Sequence, residues 1–158
     1  MAVEIERKFL VTGDSYKAQA HSCDRIAQGY ICRSGGNSTR VRVRAGKGYL
    51  TIKGPSLDGG LSRYEWEREI PVDEAWELMK LCQGGIIDKY RYLVDCGGHT
   101  FEVDEFLGDN EGLVVAEVEL SGLDETFEKP SFLGCEVTGE AKYYNGHLSR
   151  FPYRLWEK

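Results

Sequence analysis

Residues Thr39 to Arg44 read TRVRVR. Side chains along a strand point alternately to its two faces, so this stretch sets Arg40, Arg42 and Arg44 against Val41 and Val43. Like charges two residues apart on one face are destabilising unless opposite charge lies between them. That opposite charge stands elsewhere in the same pattern. Val3 to Leu10 (VEIERKFL) sets Glu4, Glu6 and Lys8 against Val3 and Ile5, and Arg63 to Ile70 (RYEWEREI) sets Glu65, Glu67 and Glu69 against Tyr64, Trp66 and Ile70, with Arg68 the exception. Tyr49 to Lys53 offers Thr51 and Lys53 against Leu50 and Ile52, and Asp88 to Val94 offers Lys89 and Arg91 against Tyr90 and Tyr92. Thr100 to Phe106 offers Glu102 and Asp104 against Phe101 and Val103, and Leu113 to Leu120 offers Glu117 and Glu119 against Ala116, Val118 and Leu120.

An open sheet with a solvated face usually mixes Thr, Ser, Lys and Gln on its polar side. Strands of nearly pure guanidinium beside strands of nearly pure carboxylate fit a closed barrel instead. Its apolar faces turn outward beneath helices, and its charged faces line a lumen in which basic strands face acidic ones.

The chain has 158 residues, 41% hydrophobic and 29% charged, which suits one compact domain over residues 1–158. A net charge of −6 argues against a general nucleic-acid binder. No apolar run approaches the ~20 residues of a membrane span, and the N-terminus lacks a signal-peptide pattern, so a cytoplasmic protein without a membrane partner is expected. The five cysteines, Cys23, Cys32, Cys82, Cys96 and Cys135, form no CxxC pair and point to neither a disulfide framework nor a zinc knuckle.

Strand signals dominate, Ile26 to Cys32 (IAQGYIC) among them. Helices are expected at Asp14 to Cys23, at Val72 to Cys82 with Asp73 as N-cap, and at Thr138 to Ser149 capped by Thr138. His21, His99 and His147 have no metal-ligand spacing and read as surface or satisfied residues. Lys47 in AGKGYL reads as a hairpin-turn residue, since no phosphate-binding glycine loop is present. Tyr143, Asn145 and Leu148 at helical spacing read as packing.

Carboxylates converging from several strands are hard oxygen ligands suited to Mg²⁺, Mn²⁺ or Ca²⁺, while fixed lysines and arginines suit phosphate oxygens. The two sets together indicate a metal-complexed polyphosphate. Glu4 and Glu6 can stand on one face if a divalent cation neutralises them, with Lys8 reaching the phosphate.

The ordered set EIERKF, QGY, RVRVR followed by YLTIKGP, RYEWEREIP, DKYRY, FEVDEFLG, GLVVAEVEL and LGCEVTGEAKYYNGHL, spanning Val3 to about Trp156, resembles the CYTH family, the triphosphate tunnel metalloenzymes. The resemblance implies an α+β protein built on an antiparallel eight-stranded β-barrel, with a few helices packed outside and a C-terminal helix near the tunnel mouth. It implies catalytic Glu4, Glu6, Lys8 and Lys89, and substrate-binding Lys8, Arg40, Arg42, Lys53, Lys89 and Arg91. It also implies metal ligands Glu4, Glu6, Asp104, Glu117 and Glu119, with Glu65 and Glu67 as further tunnel acids. The cofactor is Mg²⁺ or Mn²⁺, as two ions, and the partner is a small polyanion; a homodimer is allowed. The expected reaction is metal-dependent hydrolysis of a triphosphate, with inorganic tripolyphosphate leading. Nucleoside or thiamine triphosphate hydrolysis, class IV adenylate cyclase activity and a non-catalytic polyphosphate sensor are the alternatives.

Overall fold

A computed structural model of the chain describes residues 2–157. Its strands are β1 (Ala2–Val11), β2 (Ser22–Ser34), β3 (Asn37–Arg44), β4 (Lys47–Lys53), β5 (Ser62–Ile70), β6 (Gln83–Cys96), β7 (His99–Phe106), β8 (Val114–Glu119) and β9 (Leu133–Glu136). Hydrogen bonding runs in the order β5-β4-β3-β2-β6-β7-β8-β1-β9, and a further antiparallel pairing of β1 with β5 joins the two ends. The strands β1 to β8 thus form a closed antiparallel eight-stranded barrel. The short β9 continues the β1 edge beyond β5, pairing at Phe9 and Val11. The link between β3 and β4 is a two-residue turn, Ala45 and Gly46, both at positive φ, and Lys47 opens the next strand.

The charge alternation has the expected structural meaning, because the main apolar core lies outside the barrel. Phe9, Val94, Phe101, Val103, Ala116 and Val118 point away from the lumen and are covered by Tyr16, Leu120 and Phe132. Tyr16 belongs to α1 (Ser15–Gln19), and Phe132 to the segment that leads into β9. A second helix, α2 (Val72–Met79), lays Ala75 and Met79 over Val41. It packs so closely that a Cβ at Gly48 of β4 would lie 2.6 Å from the Ala75 Cβ. The smaller cluster of Ile87, Phe106, Leu113 and Val115 anchors Leu148 of α3 (Asn145–Leu148), which brings the C-terminal segment to one end of the barrel.

The helices are shorter than the sequence pattern suggests. Helix α1 stops at Gln19 because the chain from Ser22 is already paired with β6, and Pro71 rather than Asp73 occupies the N-cap of α2. No helix spans residues 138–149. Gly139 sits at φ 80°, outside the helical region, and the chain makes a 3₁₀ turn at Ala141–Tyr143 before α3. Thr138 caps nothing. Its hydroxyl oxygen accepts the Lys8 backbone N–H at 2.9 Å, tying the segment to β1. Among the described residues no helix is long and apolar enough to cross a membrane.

Candidate active site

The lumen encloses a cavity of about 800 Å³. Ring order divides its wall by charge. Adjacent strands β5, β1 and β8 contribute Glu65 and Glu67, Glu4 and Glu6, and Glu117 and Glu119. On the other side, β4, β3 and β6 contribute Lys53, then Arg40, Arg42 and Arg44, then Arg91.

On the acidic side the strand register forces like charges together. Glu6 lies directly opposite Glu119 across the β1–β8 pair, and Glu102 opposite Glu117 across β7–β8. Burial, reinforced by the charges of Glu117 and Glu4, pushes the Glu6 carboxyl well above its ordinary range. Glu65, hydrogen-bonded to Glu4 and partly buried, is raised to about 7, and Glu119 is raised by burial and by Glu4 and Glu102. Lysines hold the intervening groups ionised. Burial would raise Glu4, but its hydrogen bond with Glu65 and the charge of Lys53 hold it at about 2. Lys53 Nζ lies 3.0 Å from Glu4 and 3.4 Å from Glu65. Glu117 is likewise held low against burial by Lys8, whose Nζ is 3.4 Å away.

Crowding thus drives the proton affinities of this wall apart, with Glu4 and Glu117 lowered and Glu6, Glu65 and Glu119 raised. Among the described residues no three acidic side chains gather on one point at metal-ligand spacing. Glu4, Glu6, Glu117 and Glu119 all reach the one cavity, and their oxygens are hard donors that would suit a divalent cation. The donor chemistry fits Mg²⁺ or Mn²⁺.

The basic side is short of counter-charge. Arg42 makes no ion pair among the described residues; its Nε–H donates to Gln28 Oε1 at 3.0 Å. Burial, together with the nearby Arg40 and Arg91, lowers its guanidinium to about 9. Arg40 donates to Thr51 at 3.0 Å and lies 3.3 Å from Glu67, while its buried Nε has no partner. A buried guanidinium with unsatisfied donors is poised for an anion with several oxygens. Arg91 is differently placed. Its Nε and Nη2 donate to both oxygens of Asp104 at 2.8 and 2.9 Å, and its Nη1 reaches Glu102 at 3.1 Å.

Two of the expected residues lie behind the cavity wall. Asp104 is not in the cavity wall: its side chain is 1% exposed, and both oxygens are taken by Arg91 and Lys89. There it holds the Lys89 and Arg91 side chains in place. Lys89 is fully buried behind the wall, donating to Asp104 at 2.7 Å and to Asn145 Oδ1 at 3.0 Å. Burial, with Arg91 and Arg42 nearby, draws its ammonium down to about 7 against the pull of Asp104. The other expected residues, Glu4, Glu6, Lys8, Arg40, Arg42, Lys53, Glu65, Glu67, Arg91, Glu117 and Glu119, all line the cavity. Arg44 and Glu102 do as well, whereas Glu69 is exposed outside it.

Several wall residues escaped the sequence reading. Arg63 shares the parity of Glu65 and was legible on that ground. Gln28, buried behind the wall where it holds Arg42, lies in a stretch whose period is broken by register shifts near Tyr30. Tyr144 and Asn145 stand at the start of α3, a helix of four residues that is too short to mark a face by its period. Asn145 is part of the Lys89 network, not packing, and the Tyr144 ring centroid lies 4.1 Å from Lys8 Nζ. His99 also borders the cavity, bonded through Nε2 to Glu125, while its buried Nδ1 has no partner.

The CYTH domain model matches residues 2–145. An inorganic triphosphatase of Acetivibrio thermocellus is 50% identical over 159 aligned residues, covering 100% of both chains. An inorganic triphosphatase of Nitrosomonas europaea is 34% identical, covering 92% of this chain and 96% of its own. A crystal structure of an inorganic triphosphatase superposes with a TM-score of 0.63 at 30% identity, over 94% of this chain and 95% of the other. With the barrel, its divided lumen and these matches in agreement, the chain belongs to the CYTH domain family.

Proposed function

We propose that this protein is a triphosphatase that hydrolyses inorganic tripolyphosphate to pyrophosphate and orthophosphate inside the barrel. The observation that carries this reading is the facing of two incomplete walls across one cavity: crowded carboxyls on β1, β5 and β8, and under-partnered guanidiniums on β3. Each lacks what a metal–polyphosphate complex contains. The relatives named inorganic triphosphatase, one at 50% identity over the whole chain, support the same choice of substrate.

In this account Arg40, Arg42 and Arg91 bind phosphate oxygens, with Gln28 and Asp104 fixing the angles of the last two. Lys8 and Lys53 stand between the walls, each against a carboxylate, and are placed to touch the phosphate chain from the acidic side. Glu4, Glu6, Glu117 and Glu119 would hold Mg²⁺ or Mn²⁺, as two ions; when bound, these cations supply Lewis-acid offset of phosphate charge and activation of water. Water adds to the terminal phosphorus, the bridging P–O bond breaks, and the electron pair leaves with pyrophosphate. The fixed cations stabilise that leaving charge without reorganising, since their own partners already hold them. Positioning and electrostatics carry the rate, and no covalent intermediate is invoked.

The same reading takes residues 1–158 as one domain in the cytoplasm, in keeping with five free cysteines. The test is phosphate release from tripolyphosphate, ATP, thiamine triphosphate and pyrophosphate with Mg²⁺, Mn²⁺ or chelator. Metal-dependent release greatest on tripolyphosphate supports the proposal. Tight metal-independent binding without turnover would move the assignment to a polyphosphate sensor.

A further inference from the structure

The lumen is not electrically uniform along its axis. Antiparallel register sets the ends: Arg33, Asn37 and Arg63 stand at one, and Arg44, His99 and Glu119 at the other. At the first end the wall holds three guanidiniums, Arg33, Arg63 and Arg150; the carboxylate opposite Arg63 across the β1–β5 pair, Glu4, is engaged by Lys53 at 3.0 Å. The second end carries Glu102 and Glu119, and its one arginine, Arg44, is paired with Asp24 at 3.2 Å.

The three arginines are held in place by neutral oxygens only. Arg33 Nη1 donates to the Gly146 carbonyl of α3 at 2.7 Å. Arg63 Nε donates to the Gly54 carbonyl at 2.8 Å and its Nη2 to Gly36 at 3.4 Å, in the tip of the β2–β3 hairpin that also carries Arg33. Arg150, just past α3, donates to Gln83 Oε1 at 3.2 Å. Among the described residues none of the three forms an ion pair. A carbonyl orients a guanidinium without cancelling its charge, and most of the five N–H donors of each remain open. Hairpin tip, β5 and α3 thus arrange three oriented, uncompensated cations around one mouth of a chain whose net charge is −6.

We propose that Arg33, Arg63 and Arg150 form an anion subsite at the β2–β3 hairpin end of the lumen, where an incoming tripolyphosphate docks before it passes between Lys8 and Lys53. This rests on the triphosphatase reading and adds a direction to it: the polyanion enters at the β2–β3 hairpin end. Clefts lined by one sign of charge raise association rates by roughly 10- to 1,000-fold, steeply dependent on salt.

The test compares wild type with the triple variant Arg33→Gln, Arg63→Gln, Arg150→Gln, measuring kcat/KM on tripolyphosphate across a NaCl series and inhibition by orthophosphate. At low salt the variant should lose at least about 10-fold in kcat/KM, and the gap should close as salt screens the charges. The matching triple Lys variant keeps charge but not the carbonyl-anchored fork, and should retain most of the salt slope. A weaker orthophosphate inhibition with unchanged kcat/KM would still support the subsite, with departing product as its occupant. Unchanged values of both, or an equal loss in the Lys and Gln variants, would overturn it. If wild type does not turn over tripolyphosphate, the triphosphatase reading fails separately. The subsite is then decided by calorimetric titration of tripolyphosphate in chelator, where a variant affinity equal to wild type rejects it.

Discussion

Replacing Asp104 with alanine should unfold this protein more than it disturbs any metal. The Asp104 carboxylate is 1% exposed, forms an ion pair with fully buried Lys89 and is the bidentate partner of Arg91, at 2.7, 2.8 and 2.9 Å. Removing one member of such a network leaves uncompensated buried charge, at a cost of about 3–5 kcal/mol, a large part of the ~5–15 kcal/mol that holds a domain together. Two features of the site modulate the loss. Arg91 retains Glu102 at 3.1 Å. Lys89, already lowered to about 7, can shed its proton once Asp104 is gone. A lysine whose folded pKa lies below its unfolded value near 10.4 contributes stability that rises with pH between the two. Without Asp104 the lower limit of that window moves below 7, so the penalty relative to wild type should grow from pH 8 to pH 6. Urea unfolding at both pH values measures it, and adding Lys89→Met to the alanine variant should recover part of the loss. A change under about 0.5 kcal/mol at both pH values would refute the reasoning. If it came with a raised metal requirement, Asp104 would be a cation ligand after all.

Arg42→Gln should do the reverse, since Arg42 has no ion pair to lose. Its urea midpoint should match or exceed that of wild type, while kcat/KM on tripolyphosphate falls by about 10²-fold or more, the scale seen when one donor to developing negative charge is removed. In chelator the raised Glu6 carboxyl contributes stability below its unfolded pKa near 4.3 that is lost as pH rises through its folded pKa. The thermal midpoint of Glu6→Gln should therefore fall less from pH 5 to pH 8 than that of wild type, and Mn²⁺ should raise the midpoint of wild type far more than that of the variant. Gly48→Ala drives a Cβ to within 2.6 Å of Ala75, with backbone carbonyls at 3.0 and 3.2 Å, so α2 must shift; denaturant titration should show a loss of about 1–3 kcal/mol.

Parity along the strands made most of the site legible. Because a strand repeats every two residues, Arg40 with Arg42 and Glu4 with Glu6 had to share faces, and mutual repulsion implied a lumen with an opposing wall. Parity names a face, though, and not a depth. Asp104 and Lys89 have inward parity yet lie behind the surface, because Arg91 and Asn145 close over them. The C-terminal segment misled for another reason. Thr138 and the apolar spacing that follows read as a capped helix, but Gly139 at φ 80° packs against the backbone of Gly59 and Gly60, and the Thr138 hydroxyl is already committed to β1. Tyr144 and Asn145 reach the lumen from the start of the short helix α3 that follows, and only tertiary structure reveals it. Strand β9, four residues of LGCE, is too short to show a period.

The central claim is that the acidic wall and the basic wall act together on one metal–triphosphate complex. Orthophosphate release from tripolyphosphate by wild type, Glu4→Ala and Arg42→Gln, each with Mn²⁺, Mg²⁺ or chelator, tests it most directly. The account predicts turnover by wild type that disappears in chelator, and a loss of at least about 10²-fold in each variant despite a folded barrel. Full metal-dependent turnover by Glu4→Ala, or turnover by wild type undiminished in chelator, would contradict it.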